Sequence, residues 1–284
     1  MKVLICTNIK KERSRKVVPS VVEKLLLFGI VPLMNEKDRE YFDCGNVVYD
    51  TLENQIAACD IFLTVGGDGT ILRWGKHAAR TGKSLLGINT GRLGFMATLE
   101  CDGLDKLKKL VDSDYTVSSR MLMNVNIERG NGDLNFLALN DVVFYKDSGS
   151  KLPEFRVESN GTEVSNIRAD GMIFSTPTGS TAYSLSAGGP IIEPSLRCIE
   201  MTPLCAHTLF SRPMIFGGDT RLKVVYFGYE SSKVFITVDG DDGISFEEAD
   251  SVTITKSELA LNLIDLDGDS FYSSIHNKLM RPLK

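Results

Sequence analysis

The hydrophobic pattern of the chain changes near residue 116, and this change limits the folds that the chain can adopt. Before it, short apolar runs of strand length (KVLICT, IFLTV and SLLGIN) alternate with helical segments such as VVPSVVEKLLLFG. In that helical segment one face carries Val18, Val21, Val22, Leu25 and Leu26, and Gly29 ends the helix. Alternating strands and helices predict a parallel sheet covered by helices. We therefore predict an α/β domain over residues 1–115, with LDKLKKLVDSDY as its last helix.

After this point the predicted elements are short and rich in β-branched and aromatic residues. The segments are TVSSRMLMNVNIE, FRVES, TEVSNI, RLKVVYFG, KVFITV and SVTITK, and Asn160-Gly161 joins two of them as a hairpin turn. We predict a mostly antiparallel β domain over residues 116–255. Residues 256–284 are expected to form a C-terminal segment in which DSFYSSIHNKLM is a closing helix that packs on the first domain.

The composition argues against several classes of protein. No apolar run approaches the ~20 residues of a membrane-spanning helix. The N-terminal MKVLICTNIKKERSRK places its apolar run before its basic run, the reverse of a secretory signal peptide, so we predict a cytoplasmic protein with no membrane partner. The net charge of −5 argues against a nucleic-acid partner, because binding a phosphate backbone needs a basic surface. The basic run KKERSRK is typical of a solvated helix start, and a phosphate-facing role is the alternative.

Residues 65–70 read VGGDGT and directly follow the predicted strand IFLTV. Open α/β sheets bind ligands at the carboxyl ends of their strands, and a glycine-rich turn that enters a helix presents free N–H groups that suit a phosphate. Asp68 would repel this phosphate unless Mg²⁺ lies between them or Asp68 faces an alcohol that it can deprotonate. The loop therefore favours phosphoryl transfer to a hydroxyl, and a helix N-cap is the alternative role of Asp68. The candidate phosphate-donor loop consists of Gly66, Gly67, Asp68, Gly69 and Thr70.

Five motifs along the chain together carry a family resemblance. They are GGDGT, NTGRLGF at residues 89–95, the pair Asn140-Asp141, TPTGSTAYSLSAGGP, and PLCAHTLFSRP at residues 203–213. GGDGT alone is shared with diacylglycerol, sphingosine and 6-phosphofructokinases. The set of five, in family order over most of residues 60–245, closely resembles NAD kinases of the bacterial type.

The resemblance implies a fold and a reaction. The fold is a Rossmann-like parallel-sheet domain followed by an all-β, sandwich-like domain, assembled as a homodimer or homotetramer. The reaction is phosphorylation of the 2′-hydroxyl of the adenosine ribose of NAD to give NADP, with ATP or another polyphosphate as donor and a divalent cation, Mg²⁺, as cofactor. The resemblance does not identify the metal ligands.

The resemblance also implies roles for individual residues. Asp68 would be the catalytic base, and Asn140 with Asp141 would contact the ribose and nicotinamide side of NAD. The TGSTAY block would contact adenine and carboxamide, Phe95 would line the adenine pocket, and Asp239 would lie near the reacting hydroxyl. The expected NAD-binding residues are Asp68, Gly69, Phe95, Asn140, Asp141, Arg168, Asp170, Thr178, Thr181, Ala182, Tyr183, Ser186 and Asp239.

Several alternatives remain open at the level of sequence. Arg168 and Asp170 could form a surface ion pair. The resemblance implies instead that Asp170 accepts a hydrogen bond from an amide of the ligand or of a neighbouring subunit. Asp239 could simply form a turn. As a whole, the chain could be a lipid kinase with the same loop or a non-catalytic NAD(H) sensor. A lipid kinase has no use for a polar TPTGSTAY pocket, and a sensor has no need of Asp68.

Overall fold

The computed structural model describes residues 1–42, 44–91, 94–208, 211–228, 233–268 and 271–276. The chain divides into two compact units. The first unit contains residues 1–119 and 261–284, and the second contains residues 120–260.

The first unit consists of a parallel sheet and its covering helices. Its strands are β1 Lys2–Thr7, β2 Val31–Asn35, β3 Val48–Asp50, β4 Ile61–Gly66, β5 Ser84–Asn89 and β6 Leu99–Glu100. Its α-helices in this part of the chain are α1 Glu12–Leu27, α2 Leu52–Ala58, α3 Asp68–Thr81 and α4 Lys108–Asp112, and 3₁₀ helices span Glu36–Asp38 and Cys101–Leu107.

The parallel sheet has the strand order β5-β4-β1-β2-β3, with β6 beside β5. Every residue of β4 is buried, which is typical of a central parallel strand covered on both faces. Helix α1 buries Val18, Val22 and Leu25, the face that the sequence predicts, and Gly29 follows its end at a φ of +72°. The last predicted helix is instead a 3₁₀ helix followed by the short α4, which ends where Ser113 adopts a φ of +56°.

The second unit is built from antiparallel strands. Its strands are β7 Thr116–Glu128, β8 Leu134–Ala138, β9 Asp141–Lys146, β10 Glu154–Ser159, β11 Thr162–Arg168, β12 Gly171–Ser175, β13 Cys198–Leu204, β14 Met214–Gly217, β15 Leu222–Phe227, β16 Val234–Val238, β17 Ile244–Phe246 and β18 Ser251–Asp265. A 3₁₀ helix spans Gly179–Thr181, α5 spans Tyr183–Ser186, and α6, Phe271–Ile275, lies in the C-terminal part of the first unit.

Two antiparallel layers enclose the core of the second unit. One layer has the order β14-β13-β12-β9-β16-β17, and the other contains β11-β10-β15-β18. The ring of Phe144, on β9 of the first layer, lies 6.3 Å from that of Phe155, on β10 of the second, and 5.8 Å from that of Phe174. Aromatic rings that meet edge to face between two sheets are typical of a sandwich core.

The predicted fold class, an α/β domain with a β-rich, sandwich-like domain, is therefore confirmed. The hairpin turn also forms as predicted, with Asn160 and Gly161 at φ values of +51° and +84°. The sequence divided the chain at residues 115 and 255, whereas the compact units divide inside β7 and β18. Both are long continuous strands, so strand propensity does not change at the exact points of division. Within the described residues, no helix is long and apolar enough to cross a membrane.

Candidate functional site

The glycine-rich loop lies where a central parallel strand of the first unit gives way to a helix. Gly66 is the last residue of β4, Gly67 precedes the helix, and Asp68 is the first residue of α3. Gly66 is required by packing, because a Cβ there would lie 2.2 Å from Thr70 Oγ1. That hydroxyl oxygen is buried and has no hydrogen-bond partner among the described residues. Gly69, by contrast, is exposed.

The Asp68 carboxylate is fixed by three consecutive backbone N–H groups. Phe95 N donates to Oδ2 at 2.6 Å, and Met96 N and Ala97 N donate to Oδ1 at 3.2 and 3.4 Å. Gly94 lies against the same carboxylate, since a Cβ there would be 1.9 Å from Oδ1. An ionised carboxylate offers about four acceptor positions, so these donors leave room for roughly one more. The arrangement positions the carboxylate and keeps acceptor capacity for a hydroxyl.

A pocket of about 390 Å³ lies beside this loop within the first unit. The start of α1 contributes the exposed cationic side chains of Lys11 and Arg13, and Glu12 is paired with Lys16 at 2.8 Å. A helix N-terminus with two cationic side chains favours an anionic ligand. The residues lining the pocket are Lys11, Glu12, Arg13, Gly67, Thr90 and Gly91.

The second unit contains a pocket of about 430 Å³, a size typical of small-ligand sites. Tyr183 lines it with a side chain that is 49% exposed. Tyr145 also lines the pocket, and its ring stacks on that of Phe235 with centroids 5.7 Å apart. The lining residues are Asn140, Asp141, Val143, Tyr145, Ala182, Tyr183, Thr237, Asp239 and Gly240, so five predicted NAD-binding residues are brought together here.

Asp239 holds the Asn140-Asp141 segment in place. Its Oδ2 accepts from Leu139 N at 2.9 Å, and its Oδ1 accepts from Asn140 N at 2.7 Å and Asp141 N at 3.1 Å. Asp239 itself adopts a φ of +53°, a left-handed conformation that Asp tolerates in turns. Asp239 therefore both forms a turn and holds the segment of residues 139–141 through its side chain.

Two polar atoms beside this loop are buried without a hydrogen-bond partner among the described residues. They are Asn140 Oδ1 and Thr178 Oγ1. The Asn140 backbone is tightly enclosed, because a Cβ on Gly179 would lie 2.1 Å from its carbonyl oxygen. A buried unsatisfied oxygen is costly unless a ligand or water completes it. Both oxygens belong to residues that the sequence predicts as NAD contacts.

The remaining predicted residues do not line this pocket. Thr181 donates its hydroxyl to Thr178 O at 3.2 Å, and Ser186 is the last residue of α5. Arg168 is exposed at the end of β11, and Asp170 pairs with Lys146 at 3.6 Å. Phe95 is placed in the first unit through its backbone contact with Asp68.

Sequence reasoning missed several residues of these sites. Gly94 belongs to the NTGRLGF motif, but the motif does not reveal its contact with Asp68, because the two residues are far apart in the chain. Arg92 and Leu93 of that motif lie outside the described residues. Lys11 and Arg13 belong to KKERSRK, for which a phosphate-facing role was the alternative. The sequence does not identify Tyr145 and Thr237 as pocket residues, because only the pairing of the strands decides which of their alternating side chains line the pocket.

The protein side chains do not form a dedicated metal cage in the described part of the chain, where no group of three His, Cys, Asp or Glu residues could hold an ion.

Together, the parallel-sheet loop with its fixed carboxylate and the polar, aromatic-lined pocket define a nucleotide-binding protein of the phosphotransferase type. Two family models match the chain accordingly. The ATP-NAD kinase N-terminal domain matches residues 3–115, and the ATP-NAD kinase C-terminal domain matches residues 139–266. The chain belongs to the NAD kinase family.

Individual relatives agree with this assignment. The chain is 35% identical over 281 residues to an NAD kinase of Caldanaerobacter subterraneus subsp. tengcongensis, covering 98% of both chains. It is 34% identical to an NAD kinase of Moorella thermoacetica, covering 96% of this chain and 87% of that one.

Solved structures share the fold. An NAD kinase from Archaeoglobus fulgidus in complex with ATP is 26% identical with a TM-score of 0.75, covering 99% of both chains. Yeast NADH kinase complexed with NADH has a TM-score of 0.85 at 22% identity, covering 100% of this chain and 90% of that one.

Proposed function

We propose that this protein transfers the γ-phosphoryl group of ATP to the 2′-hydroxyl of the adenosine ribose of NAD, giving NADP and ADP. The observation that carries the proposal is the Asp68 carboxylate, fixed by three N–H donors at the start of α3 with capacity for one further donor. Family membership supports the same reaction, and the solved relative with bound ATP supports ATP as the donor.

In this reaction Asp68 is the general base. It accepts a hydrogen bond from the 2′-hydroxyl and takes the proton as the hydroxyl oxygen bonds to the γ-phosphorus and the bond from that phosphorus to the bridging oxygen of ADP breaks. Phosphoryl transfer leaves little covalent chemistry to the protein, so positioning and charge neutralisation dominate. The three backbone donors perform the positioning, because they fix both carboxylate oxygens.

The donor phosphates would be held by Gly66 to Thr70, with Lys11 and Arg13 in the adjoining pocket as further anion contacts. Mg²⁺, carried by these phosphates, would neutralise charge on them when bound. Inorganic polyphosphate remains an alternative donor, because the same backbone and cationic groups would bind it.

The pocket of the second unit would hold the nucleoside parts of NAD. Tyr183 offers an aromatic surface for stacking, and Asn140 Oδ1 and Thr178 Oγ1 offer buried polar atoms that lack partners among the described residues. Asp141 and Ala182 line the same pocket. Contacts from Arg168, Asp170, Thr181, Ser186 and Phe95 stay predictions, as do a homodimeric or homotetrameric assembly and a cytoplasmic location.

The test is incubation of the purified protein with NAD, Mg²⁺ and ATP, followed by an assay coupled to an NADP-specific dehydrogenase, with ³¹P NMR to locate the new phosphate. We expect the adenosine 2′-phosphate as the single product, because orientation within about 1 Å decides which hydroxyl reacts. A parallel reaction with polyphosphate identifies the donor. A 3′-phosphate or nicotinamide-side phosphate as the main product would contradict the proposal. Failure with every donor and with Mg²⁺ or Mn²⁺ would instead favour an NAD(H) sensor.

A further inference from the structure

Glu200 is a fully buried carboxyl group outside the sites described above. It lies on β13, where Ile199 and Met201 face the core of the second unit and Glu200 faces the other side. There its Oε1 lies 2.7 Å from Ser184 Oγ and 2.7 Å from Thr202 Oγ1, and these two hydroxyl oxygens are 2.9 Å apart. The three oxygen atoms form a closed triangle, which we call the Glu200 triad.

The triad needs a third hydrogen atom if all three of its contacts are hydrogen bonds. Each of its three oxygen–oxygen contacts has hydrogen-bond length, and each conventional hydrogen bond uses one hydrogen. The hydroxyl groups of Ser184 and Thr202 supply two. The third comes from Glu200 if its carboxyl group is protonated, with its O–H donating to one hydroxyl and its oxygen accepting from the other.

The surroundings of Glu200 also favour its neutral form. Its second oxygen, Oε2, is buried and has no hydrogen-bond partner among the described residues. No ion pair joins Glu200 to a described lysine, arginine or histidine. Burial raises the pKa of Glu200, and the hydrogen bonds from Ser184 and Thr202 lower it by less. An ionised carboxylate without a buried cation would be strongly destabilising at such a position.

The described residues that are paired with Glu200 on the neighbouring strands and on α5 carry no charge. Its register partners on the adjacent strands are Ser175 on β12 and Ile215 on β14, and α5 contributes Ser184. A titratable neighbour on β13 itself is the thiol of Cys198, whose own pKa is raised mainly by burial.

The triad supports the segment that lines the NAD pocket. Ser184 lies in α5 directly after Ala182 and Tyr183, both of which line the pocket. The following turn is packed onto the triad as well, since a Cβ on Gly189 would lie 2.1 Å from Glu200 Oε1 and 2.3 Å from Ser184 Oγ. Displacement of Glu200 would therefore release α5 from β13.

We propose that Glu200 is a positioning residue which, as a neutral carboxylic acid, ties α5 to β13 and so holds Tyr183 and Ala182 in place for NAD. Only the identity of NAD as ligand rests on the proposed function. A side chain that only filled space would not need a proton, so the protonation of Glu200 distinguishes the positioning role from a space-filling one.

The sign of the pH effect follows from the raised pKa. Below about pH 4, the ordinary range of a glutamate, the group is protonated in the folded and the unfolded chain and contributes no pH dependence. Above it the unfolded chain releases this proton while the folded chain keeps it, so the stability of the parent protein falls with rising pH until the folded group ionises. Glu200→Gln removes the titrating group and with it this decline.

The first experiment detects the proton directly. We expect the infrared difference spectrum of the parent minus Glu200→Gln at about pH 5, just above the ordinary range of a glutamate, to contain the carbonyl band of a protonated carboxylic acid. Asp250→Asn is the matched control, because Asp250 is a buried acid paired with Arg129 at 3.2 Å, and its difference spectrum should contain carboxylate bands alone. Carboxylate bands alone for Glu200 would overturn the proposal.

The second experiment separates positioning from catalysis. Glu200→Gln should keep the KM for NAD within about threefold of the parent, whereas Glu200→Ala should raise it at least about tenfold with little change in kcat, a loss of binding energy common to ground and transition states. The Tm of Glu200→Gln relative to the parent should rise as the pH increases above the ordinary range of a glutamate, until Glu200 ionises in the folded parent. An equal rise in KM for both variants, or parallel Tm profiles, would contradict the proposal.

These readouts remain decisive if parts of the experiment fail. Should Glu200→Ala not fold, the spectrum and the melting profile of Glu200→Gln still test the proton. Should the parent protein not phosphorylate NAD, the proposed function fails, while both measurements on Glu200 are unaffected because neither requires turnover.

Discussion

Two aspartates, one in each unit, hold a loop by the same arrangement. Asp68 accepts hydrogen bonds from the N–H groups of residues 95–97, and Asp239 accepts them from residues 139–141. In each case one carboxylate bonds three consecutive backbone donors that are far away in the sequence. The contacts by themselves would give both residues a structural role.

The surroundings of the two carboxylates differ. Asp68 is the first residue of α3, where the helix dipole favours a negative charge, and it follows the carboxyl end of a parallel strand beside a pocket with cationic side chains. Asp239 occupies a left-handed turn after β16 and lines the pocket that its own loop helps to form. A comparison of contacts alone therefore does not separate a base from an anchor, and kinetic measurements are needed.

The largest effect is expected from Asp68→Asn. Loss of a positioned base lowers kcat by roughly 10²–10⁴, while NAD binding by calorimetry should persist. The measurement is steady-state kinetics. The Tm is recorded in parallel because the asparagine amide cannot accept hydrogen bonds from all three backbone N–H groups, so the variant also loses stability. Turnover within about threefold of the parent would make Asp68 an anchor of the same kind as Asp239, and the mechanism above would be wrong.

The next largest effect on the kinetic constants is expected from substituting the glycine that packs against each loop. Gly94→Ala places a methyl group where the Asp68 carboxylate lies and should lower kcat by about 10², the cost of a misplacement near 1 Å. Gly179→Ala crowds the Asn140 carbonyl and should mainly raise the KM for NAD. Gly45→Ala is the control, since its Cβ would meet nothing within 4 Å. If both variants change the same kinetic constant, the division of roles between the two loops is refuted.

A smaller effect is expected from Asp239→Asn. Weakening hydrogen bonds to a charged acceptor should lower the free energy of unfolding by about 1.5–3 kcal/mol, as measured by urea denaturation. The KM for NAD should rise up to about tenfold, equivalent to ~1.4 kcal/mol, because Asn140 and Asp141 lose their support. A fall in kcat as large as that of Asp68→Asn, with unchanged stability, would place Asp239 in the chemistry instead.

The smallest effect on stability is expected from Tyr183→Ala. An aromatic contact contributes ~0.5–1.5 kcal/mol, so the KM for NAD should rise about 2–12-fold with kcat little changed. Tyr183→Phe, which keeps the ring, is the control. The Tm should hardly move, because the side chain is 49% exposed. Extensive unfolding with an unchanged KM would show that Tyr183 supports the fold and does not bind NAD.

Local pattern predicted most of the fold because the period of hydrophobic residues is a local property. The strand IFLTV, the helical face of Val18 and Val22, and the turn at Asn160-Gly161 form as predicted. The pattern failed at the start of LDKLKKLVDSDY, where a 3₁₀ helix that ends at Leu107 precedes the short α4. It does not mark where the compact units divide, since β7 and β18 are continuous strands across these divisions.

The sequence by itself determined which residue types form the two sites, because motifs such as GGDGT and TGSTAY combine backbone freedom with a few polar groups at fixed spacing. Only the tertiary structure decided what those groups touch. Three sets of contacts join segments that are distant in the chain. They are the approach of Gly94 to Asp68, the hydrogen bonds of Asp239 to residues 139–141, and the Glu200 triad. Such contacts depend on strand register and on how closely backbones approach, and neither is encoded in the spacing of any single motif.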